Sequence, residues 1–154
     1  RFLALNCQTN SNNHGFNLID RQYYHADSFS LDGTELTLAC GKRDMQLSEE
    51  LVKLHNKLGA RYGWLTRGAV DTIGIKAGEP ECICVPFETS IIDTIGAGDA
   101  FSSLASLAAV KKLPIDIATF MGQLAGAQAV RIVGNAESIN KNKFIKGGMS
   151  LLSF

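Results

Sequence analysis

The chain has 154 residues, of which 45% are hydrophobic and 19% charged, a size and composition typical of one globular domain with its own core. Fifteen basic and fifteen acidic residues cancel, and neither sign forms a long run, so a nucleic-acid or anionic-membrane surface is not expected. The apolar stretches are too short to span a bilayer, and residues 1–10 lack the layout of a secretory signal. We therefore predict a single cytoplasmic domain over 1–154 that acts on a small molecule, without a nucleic-acid or membrane partner.

The first half of the chain predicts alternating strands and helices. A buried strand over 1–6 is followed by a second strand over 26–32. A short helix over 33–41 comes next, and a longer amphipathic helix runs from Ser48, as its N-cap, to Gly59. Alternation of this kind is typical of an α/β domain.

The second half adds a β-hairpin and three helices. A strand over 60–66 leads into a hairpin over 71–87, where apolar and polar residues alternate. The predicted helices cover 100–113, 114–134 and much of 140–154, with Pro114 at the first helical position of the second one.

The cysteines and histidines do not show the spacing of a metal site. The only close pair, Cys82 and Cys84, lies inside an apolar, strand-like run, and neither a C-x-x-C nor a group of histidines accompanies it. We predict reduced thiols rather than a zinc site. His55 lies on the apolar face of a helical pattern, where packing is favoured over ligation.

A glycine-rich turn between a strand and a helix, "IIDTIGAGDAF" over 91–101, is the strongest candidate for a functional site. Gly96, Ala97 and Gly98 leave backbone N–H groups free to approach an anion at the start of the helix. Asp99 next to them is either a helix cap or a base that takes a proton from a hydroxyl group. A dinucleotide-binding turn is disfavoured because Phe101 stands where a small residue is needed, and the chain has no Walker loop.

The whole string "DTIGAGDAF" resembles the D-T-x-G-A-G-D-x-F signature of the ribokinase (PfkB) family of carbohydrate kinases. The resemblance implies a three-layer α/β/α ribokinase-like (Rossmann-like) fold with a mostly parallel sheet, and transfer of the ATP γ-phosphoryl group to a sugar hydroxyl. It also implies that Asp99 is the base and that residues 96–98 form the anion hole. The matching positions are Asp93, Thr94, Gly96, Ala97, Gly98, Asp99 and Phe101.

Two further segments bear on the metal ions of such a kinase. The stretch "DGTE" resembles the family's N-x-x-E element, in which the glutamate helps to organise Mg²⁺; Glu35 is kept, and Asp32 replaces the asparagine. Acidic residues at the start of a helix are the alternative interpretation of this stretch. Several family members also hold a monovalent cation near the glycine turn, which makes Asp93 and Ser138 candidates for K⁺ binding.

Nucleotide contacts are expected from two more segments. "WLTRGAVD" resembles the family's V-T-x-G-x-x-G segment, which implies that Thr66 and Gly68 lie along ATP; Asp71 stands where a second glycine is usual. Arg67 is either a phosphate ligand or a solvated side chain. Small residues in the helix after Pro114 either allow a neighbouring helix to approach or lie against adenine. The candidates here and in the following loop are Gly122, Ala125, Gly126, Ala129, Gly134, Asn135 and Ser138.

Kinases of this family are about twice as long as this chain, so we expect a domain truncated at its N-terminal side. The part that contacts the sugar is then missing, and the isolated chain is expected to be inactive and to need the missing half, other domains or a second copy as partner. Residues 4–19 resemble the branch fused to a nucleotidyltransferase, as in bifunctional heptose kinases. The rival hypothesis is a kinase-like domain that binds nucleotide or acts as a scaffold without turnover.

Overall fold

One five-stranded sheet organises the chain. The computed structural model describes residues 1–8, 18–42 and 44–153, with Asn135 described by its backbone alone. The strands lie side by side in chain order, the first three parallel and the last two antiparallel to their neighbours. The strands are β1 (Ala4–Asn6), β2 (Ser28–Asp32), β3 (Tyr62–Thr66), β4 (Thr72–Lys76) and β5 (Cys82–Cys84).

Helices cover both faces of this sheet and make three layers. On one face lie α1 (Ile19–Gln22), α2 (Gly33–Cys40) and α3 (Leu47–Leu58), and on the other α4 (Ala97–Val110) and α5 (Ile115–Ala129). The last helix, α6 (Lys141–Leu152), packs against α5. None of the helices in the described ranges is long and apolar enough to cross a membrane.

Side chains of the strands alternate between these two helical layers. Phe29, Leu31 and Leu65 enter the apolar core shared with α1, α2 and α3, whereas Tyr62 and Trp64 enter the core shared with α4 and α5. Ser28 and Asn6 lie on the α4 side: Ser28 Oγ is 3.5 Å from Ser106 Oγ in that helix, and Asn6 lies beside its start.

A glycine in β4 allows α5 to lie close to the sheet. The indole Nε1 of Trp64 donates to Thr119 Oγ1 at 3.0 Å, and that hydroxyl donates to Ile115 O at 2.7 Å. A Cβ at Gly74 would clash with the same hydroxyl. Glycine at this position thus leaves room for a buried hydrogen-bonded pair, which satisfies both polar groups.

Most of the predicted elements are confirmed in type, but the strand expected before the glycine turn is absent: the described residues 91–94 are irregular, and the N–H groups of Ile92 and Asp93 donate to Val130 O rather than to a neighbouring strand. The other corrections concern the ends of elements. The prediction of Ser48 as N-cap is wrong: Gln46 takes that position and α3 begins at Leu47, whose side chain packs on the core. Pro114 is the N-cap of α5 rather than its first residue. This helix ends at Ala129 and not at Gly134, because the N–H groups of residues 92 and 93 both donate to the Val130 carbonyl.

Three further expectations can be compared with the structure. The sheet is mixed, with two parallel and two antiparallel pairings, because the hairpin of β4 and β5 extends it from β3. His55 is buried with its ring 6.4 Å from that of Phe29, as predicted for a packing residue. All four cysteines are free, and within the described residues no group of three metal-ligating side chains occurs. Most of the segment 4–19, including His14, lies outside the described residues.

Candidate active site

A cavity of about 760 Å³ lies where β1, β2 and β3 end and α4 begins. Ligands of open α/β sheets commonly bind at this edge, outside the carboxyl ends of the parallel strands. Residues predicted for the base, anion hole, metal and nucleotide meet here although they are far apart in the chain. These lining residues are Asp32, Glu35, Thr66, Gly68, Gly96, Ala97, Gly98, Asp99 and Gly126.

The glycine turn forms one wall of this cavity. Gly96 has φ 79° and ψ −3°, a left-handed conformation that glycine adopts without strain, and it is the N-cap of α4. No side chain caps this end of the helix. Since the first N–H groups of an α-helix have no acceptor within it, those of Gly98 and Asp99 are available to an anion in the cavity.

Packing within the protein does not require a glycine at position 98. A Cβ added at this position would meet no atom within 4 Å. The space beside the backbone is therefore part of the cavity, and a bound group can approach the N–H groups closely.

Asp99 lies two residues after the start of α4 and does not cap it. Its carboxylate is exposed, and Oδ1 accepts a hydrogen bond of 2.7 Å from Nδ2 of Asn6 at the end of β1. The helix-cap interpretation of Asp99 is thus wrong, because Gly96 occupies the cap position. Asn6 lines the same cavity and was not predicted as a site residue, although its place at the end of a strand is a usable signal.

Asp32 and Glu35 form a capping box at the start of α2. Asp32 Oδ1 accepts from the Glu35 N–H and Glu35 Oε2 accepts from the Asp32 N–H, both at 2.8 Å. Burial, with the negative charges of Glu35 and Asp32, raises the pKa of the nearby Cys7 thiol to about 12. The helix-start interpretation holds, and it fixes two carboxylates in the cavity wall. Carboxylate oxygens are ligands that suit Mg²⁺, directly or through water.

Arg67 is held by Asp71 rather than directed into the main cavity. Its Nε donates to Asp71 Oδ1 at 2.6 Å, and its terminal nitrogen pairs with Oδ2. This bidentate ion pair raises the pKa of Arg67. Arg67 lines a second cavity of about 480 Å³, which shares Thr66 and Gly68 with the main cavity. Its predicted role as a phosphate ligand stays a prediction, and Asp71 accepts two hydrogen bonds from its guanidinium.

The small residues of α5 serve two different purposes. A Cβ at Gly122 would lie 2.6 to 2.9 Å from three ring carbons of Phe101, so this glycine makes room for the α4 side chain. Gly126 lines the cavity, and its added Cβ would be 3.7 Å from Ala97 O, an ordinary contact. The helix-packing interpretation therefore applies to Gly122, while Gly126 is open to a ligand.

The segment between β5 and α4 closes another side of the cavity. It was predicted as the end of a hairpin followed by a strand before the glycine turn, and the structure shows no strand in the described residues 85–96. Glu88 Oε1 accepts the N–H groups of Thr89 and Ser90 at 2.9 and 2.7 Å, and Oε2 lies 3.3 Å from Arg131. The Phe87 and Phe120 rings are 5.2 Å apart. The Glu88–Arg131 ion pair and the Phe87–Phe120 ring contact hold the segment against α5 and the residues that follow it. Both join residues that are far apart in the chain, so no local pattern predicts them.

Asp93 joins the glycine turn to the segment after α5. Its Oδ1 accepts the Ile95 N–H at 2.9 Å and its Oδ2 accepts the Gly134 N–H at 2.8 Å. These hydrogen bonds, that of Ile95 first, lower the pKa of Asp93. Gly134, with φ 56°, belongs to the 3₁₀ turn Val133–Asn135, outside the main cavity's lining. Ser138 lies in the irregular segment before α6.

Comparison with known proteins identifies the family to which this site belongs. The profile of the pfkB family carbohydrate kinases matches residues 9–142, which is most of the chain. The chain belongs to the pfkB family of carbohydrate kinases. Among curated proteins, none matches it significantly.

Solved structures of pfkB-family kinases have the same fold. Ribokinase of Arabidopsis thaliana, complexed with ribose and ATP, superposes with a TM-score of 0.78 at 20% identity, over 98% of this chain and 47% of that one. Phosphofructokinase-2 of Escherichia coli, in complex with substrates and products, superposes with a TM-score of 0.72 at 17% identity, over 84% of this chain and 42% of that one. The same enzyme in complex with potassium superposes with a TM-score of 0.73 at 18% identity, over 84% of this chain and 42% of that one. The chain thus spans less than half the length of these kinases, and its ribokinase-like fold is confirmed.

Replacing Asp93 by asparagine in this pfkB-family chain is expected to lower the melting temperature of the full-length protein at pH 7. An amide has only one acceptor oxygen for the two N–H groups of Ile95 and Gly134. The other N–H group would therefore face the NH₂ group of the amide, which is also a donor. Because the folded pKa of Asp93 is lowered, the carboxylate's contribution is complete above about pH 4 and is lost as the pH falls through the folded value.

Thermal melting of parent and Asp93→Asn from pH 7 down to pH 2.5 measures this contribution. The gap between the two melting temperatures should narrow below about pH 4, where the parental carboxyl takes up a proton. A gap of constant size across this range would show that the charge of Asp93 does not link the turn to Gly134.

Proposed function

We propose that the full-length protein transfers the γ-phosphoryl group of ATP to a hydroxyl group of a sugar or sugar phosphate. One observation carries the proposal: an uncapped helix start with free N–H groups lies beside the carboxylate of Asp99 in one cavity. Phosphoryl transfer to an alcohol needs an anion site for the transferred group and a base for the acceptor hydroxyl close together.

In the proposed reaction Asp99 takes the proton from the acceptor hydroxyl. The oxygen then bonds to the γ-phosphorus while the bond from that phosphorus to the β,γ-bridging oxygen breaks, and ADP leaves. The free N–H groups of Gly98 and Asp99 would stabilise the negative charge on the transferred group, whereas the N–H of Ala97 donates to Thr94 O at 3.2 Å. The effect is strong because the donors are fixed in advance. Positioning and electrostatics supply most of the catalysis in this class of reaction.

The metal ions and the nucleotide are assigned to the remaining walls. Glu35 and Asp32 would organise Mg²⁺, which supplies positive charge to the phosphate oxygens when bound. Thr66, Gly68 and Gly126 would lie along ATP, with Gly134 and Asn135 as further candidates. A K⁺ ion near Asp93 is also part of the proposal, supported by the potassium complex of phosphofructokinase-2. A cytoplasmic location and homo-oligomerisation stay predictions.

The test is turnover by the full-length protein with MgATP and a panel of sugars and sugar phosphates, heptose phosphates included. ADP release coupled to one acceptor, with a phosphorylated product seen by mass spectrometry, is the expected result. Binding of ATP without phosphorylation of any acceptor would favour a non-catalytic nucleotide-binding or scaffolding domain. Thermal protection by NAD and not by ATP would instead favour a dehydrogenase.

A leucine at Gly126 is expected to weaken ATP binding at least tenfold. The first carbon of the new side chain fits, at 3.7 Å from Ala97 O, and the rest must extend into the cavity assigned to the nucleotide. Gly126→Ala is the matched control: it should bind ATP like the parent and melt slightly higher, since alanine favours a helix interior by about 1 kcal/mol. Titration calorimetry with ATP distinguishes them, and equal affinities for parent and Gly126→Leu would remove Gly126 from the nucleotide site.

A further inference from the structure

The end of β1 lies against the start of α4 and places Asn6 beside Asp99. Nδ2 of Asn6 donates to Oδ1 of Asp99 at 2.7 Å, across 93 residues of sequence. Two features of the fold produce this contact. Leu5 is buried on the α1 to α3 side, so its neighbour Asn6 faces the other layer, and α4 packs against β1 and β2 on that layer.

This hydrogen bond contributes little to holding the fold together. Asn6 and Asp99 are both exposed to solvent. In the absence of the partner, water can satisfy either side chain, so the bond contributes little net stability. Its effect is on geometry: one carboxylate oxygen is occupied by a fixed donor, and the plane of the carboxylate is set.

We propose that Asn6 is a positioning residue that orients Asp99 so that Oδ2 faces the acceptor hydroxyl. The inference rests on the proposed function, in which Asp99 is the base. An amide suits this role because it donates a hydrogen bond without carrying a positive charge, which would compete with the transferred phosphoryl group for the carboxylate. Asn6 lies outside the family match, which begins at residue 9.

The steady-state kinetics of the full-length Asn6→Ala protein test this role. With an unoriented base, kcat is expected to fall about 10- to 100-fold, as for a misplaced catalytic group, while KM for ATP and the melting temperature stay near the parental values. Asn6→Asp keeps the shape, removes the donor and adds a like charge, so its kcat should fall at least as far.

The double variant Asn6→Ala with Asp99→Asn separates positioning from a general structural effect. If Asn6 acts only through the carboxylate of Asp99, the double variant turns over as slowly as Asp99→Asn alone, measured in single-turnover experiments with labelled ATP. A further loss in the double variant would overturn the proposal. So would an Asn6→Ala kcat within twofold of the parent, or a parallel loss of ATP affinity and thermal stability.

A crystal structure of full-length Asn6→Ala measures the orientation of the Asp99 carboxylate independently of kinase activity. If the parent phosphorylates no acceptor, the proposed function fails, yet the orientation of Asp99 is still measurable. The expected result is a carboxylate that has rotated or occupies more than one rotamer. An Asp99 side chain in the single orientation seen with Asn6 present would overturn the positioning role.

Discussion

An Asp99→Asn variant of the full-length protein is expected to lose about three orders of magnitude in kcat and to keep its affinity for ATP. General-base catalysis contributes about 10²- to 10⁴-fold, and an amide of the same shape cannot take the proton. The N–H groups of the glycine turn are unchanged in this variant, so the anion site remains. Removal of one carboxylate from beside the phosphates can even tighten ATP binding slightly.

Asp116→Asn is the matched control for this experiment. Asp116 lies in the first turn of α5, where its Oδ1 accepts the N–H of Ile117 at 2.7 Å, and it does not line the cavity. The same chemical change there should leave kcat within about twofold. Parental turnover by Asp99→Asn would show that Asp99 is not the base, and a large loss of ATP affinity would assign Asp99 to binding.

The sequence was sufficient to predict most of the elements and the part of the cavity wall that the glycine turn and α2 form. Hydrophobic patterns with periods of 2 and 3.6 residues predicted the five strands and the main helices, because these patterns are local. The glycine turn could also be predicted from the sequence, since the left-handed conformation of Gly96 and the uncapped start of α4 depend on small residues at adjacent positions.

Contacts between residues that are distant in the chain could not be predicted from such patterns. The pairing of Asn6 with Asp99 depends on how α4 packs over β1, and nothing in residues 1–8 indicates it. The ion pair of Arg67 and Asp71 was missed although the two are four residues apart. A strand end followed by an irregular turn does not fix the direction of either side chain, so spacing alone gave no reason to join them.

Truncation of Phe101 to alanine is expected to lower the free energy of unfolding by about 3 to 5 kcal/mol, as for other buried aromatic residues. The ring is 2% exposed and lies edge-on to Trp64, with centroids 6.1 Å apart and planes at 77°. Phe101 follows Asp99 by two residues, on the buried side of α4. Its place in the family signature is thus explained by packing: it anchors the helix start that carries Asp99, the proposed base.

Gly122→Ala provides a second, linked measurement of the same contact. The added methyl group would lie within 2.9 Å of three Phe101 ring carbons, an overpacking that costs about 1 to 3 kcal/mol. In the double variant with Phe101→Ala the methyl group enters the space that the ring has left. We therefore expect the double variant to be more stable than the sum of the two single effects predicts.

Leu107→Ala is the control on the same helix, because its side chain is 59% exposed and its loss should cost no more than about 0.5 kcal/mol. Urea unfolding of the full-length proteins, followed by circular dichroism, gives the four free energies needed for the cycle. Strictly additive losses in the double variant would mean that Gly122 does not make room for Phe101. A coupling of more than about 1 kcal/mol would establish that these two residues together set how α4, and with it Asp99, lies on α5.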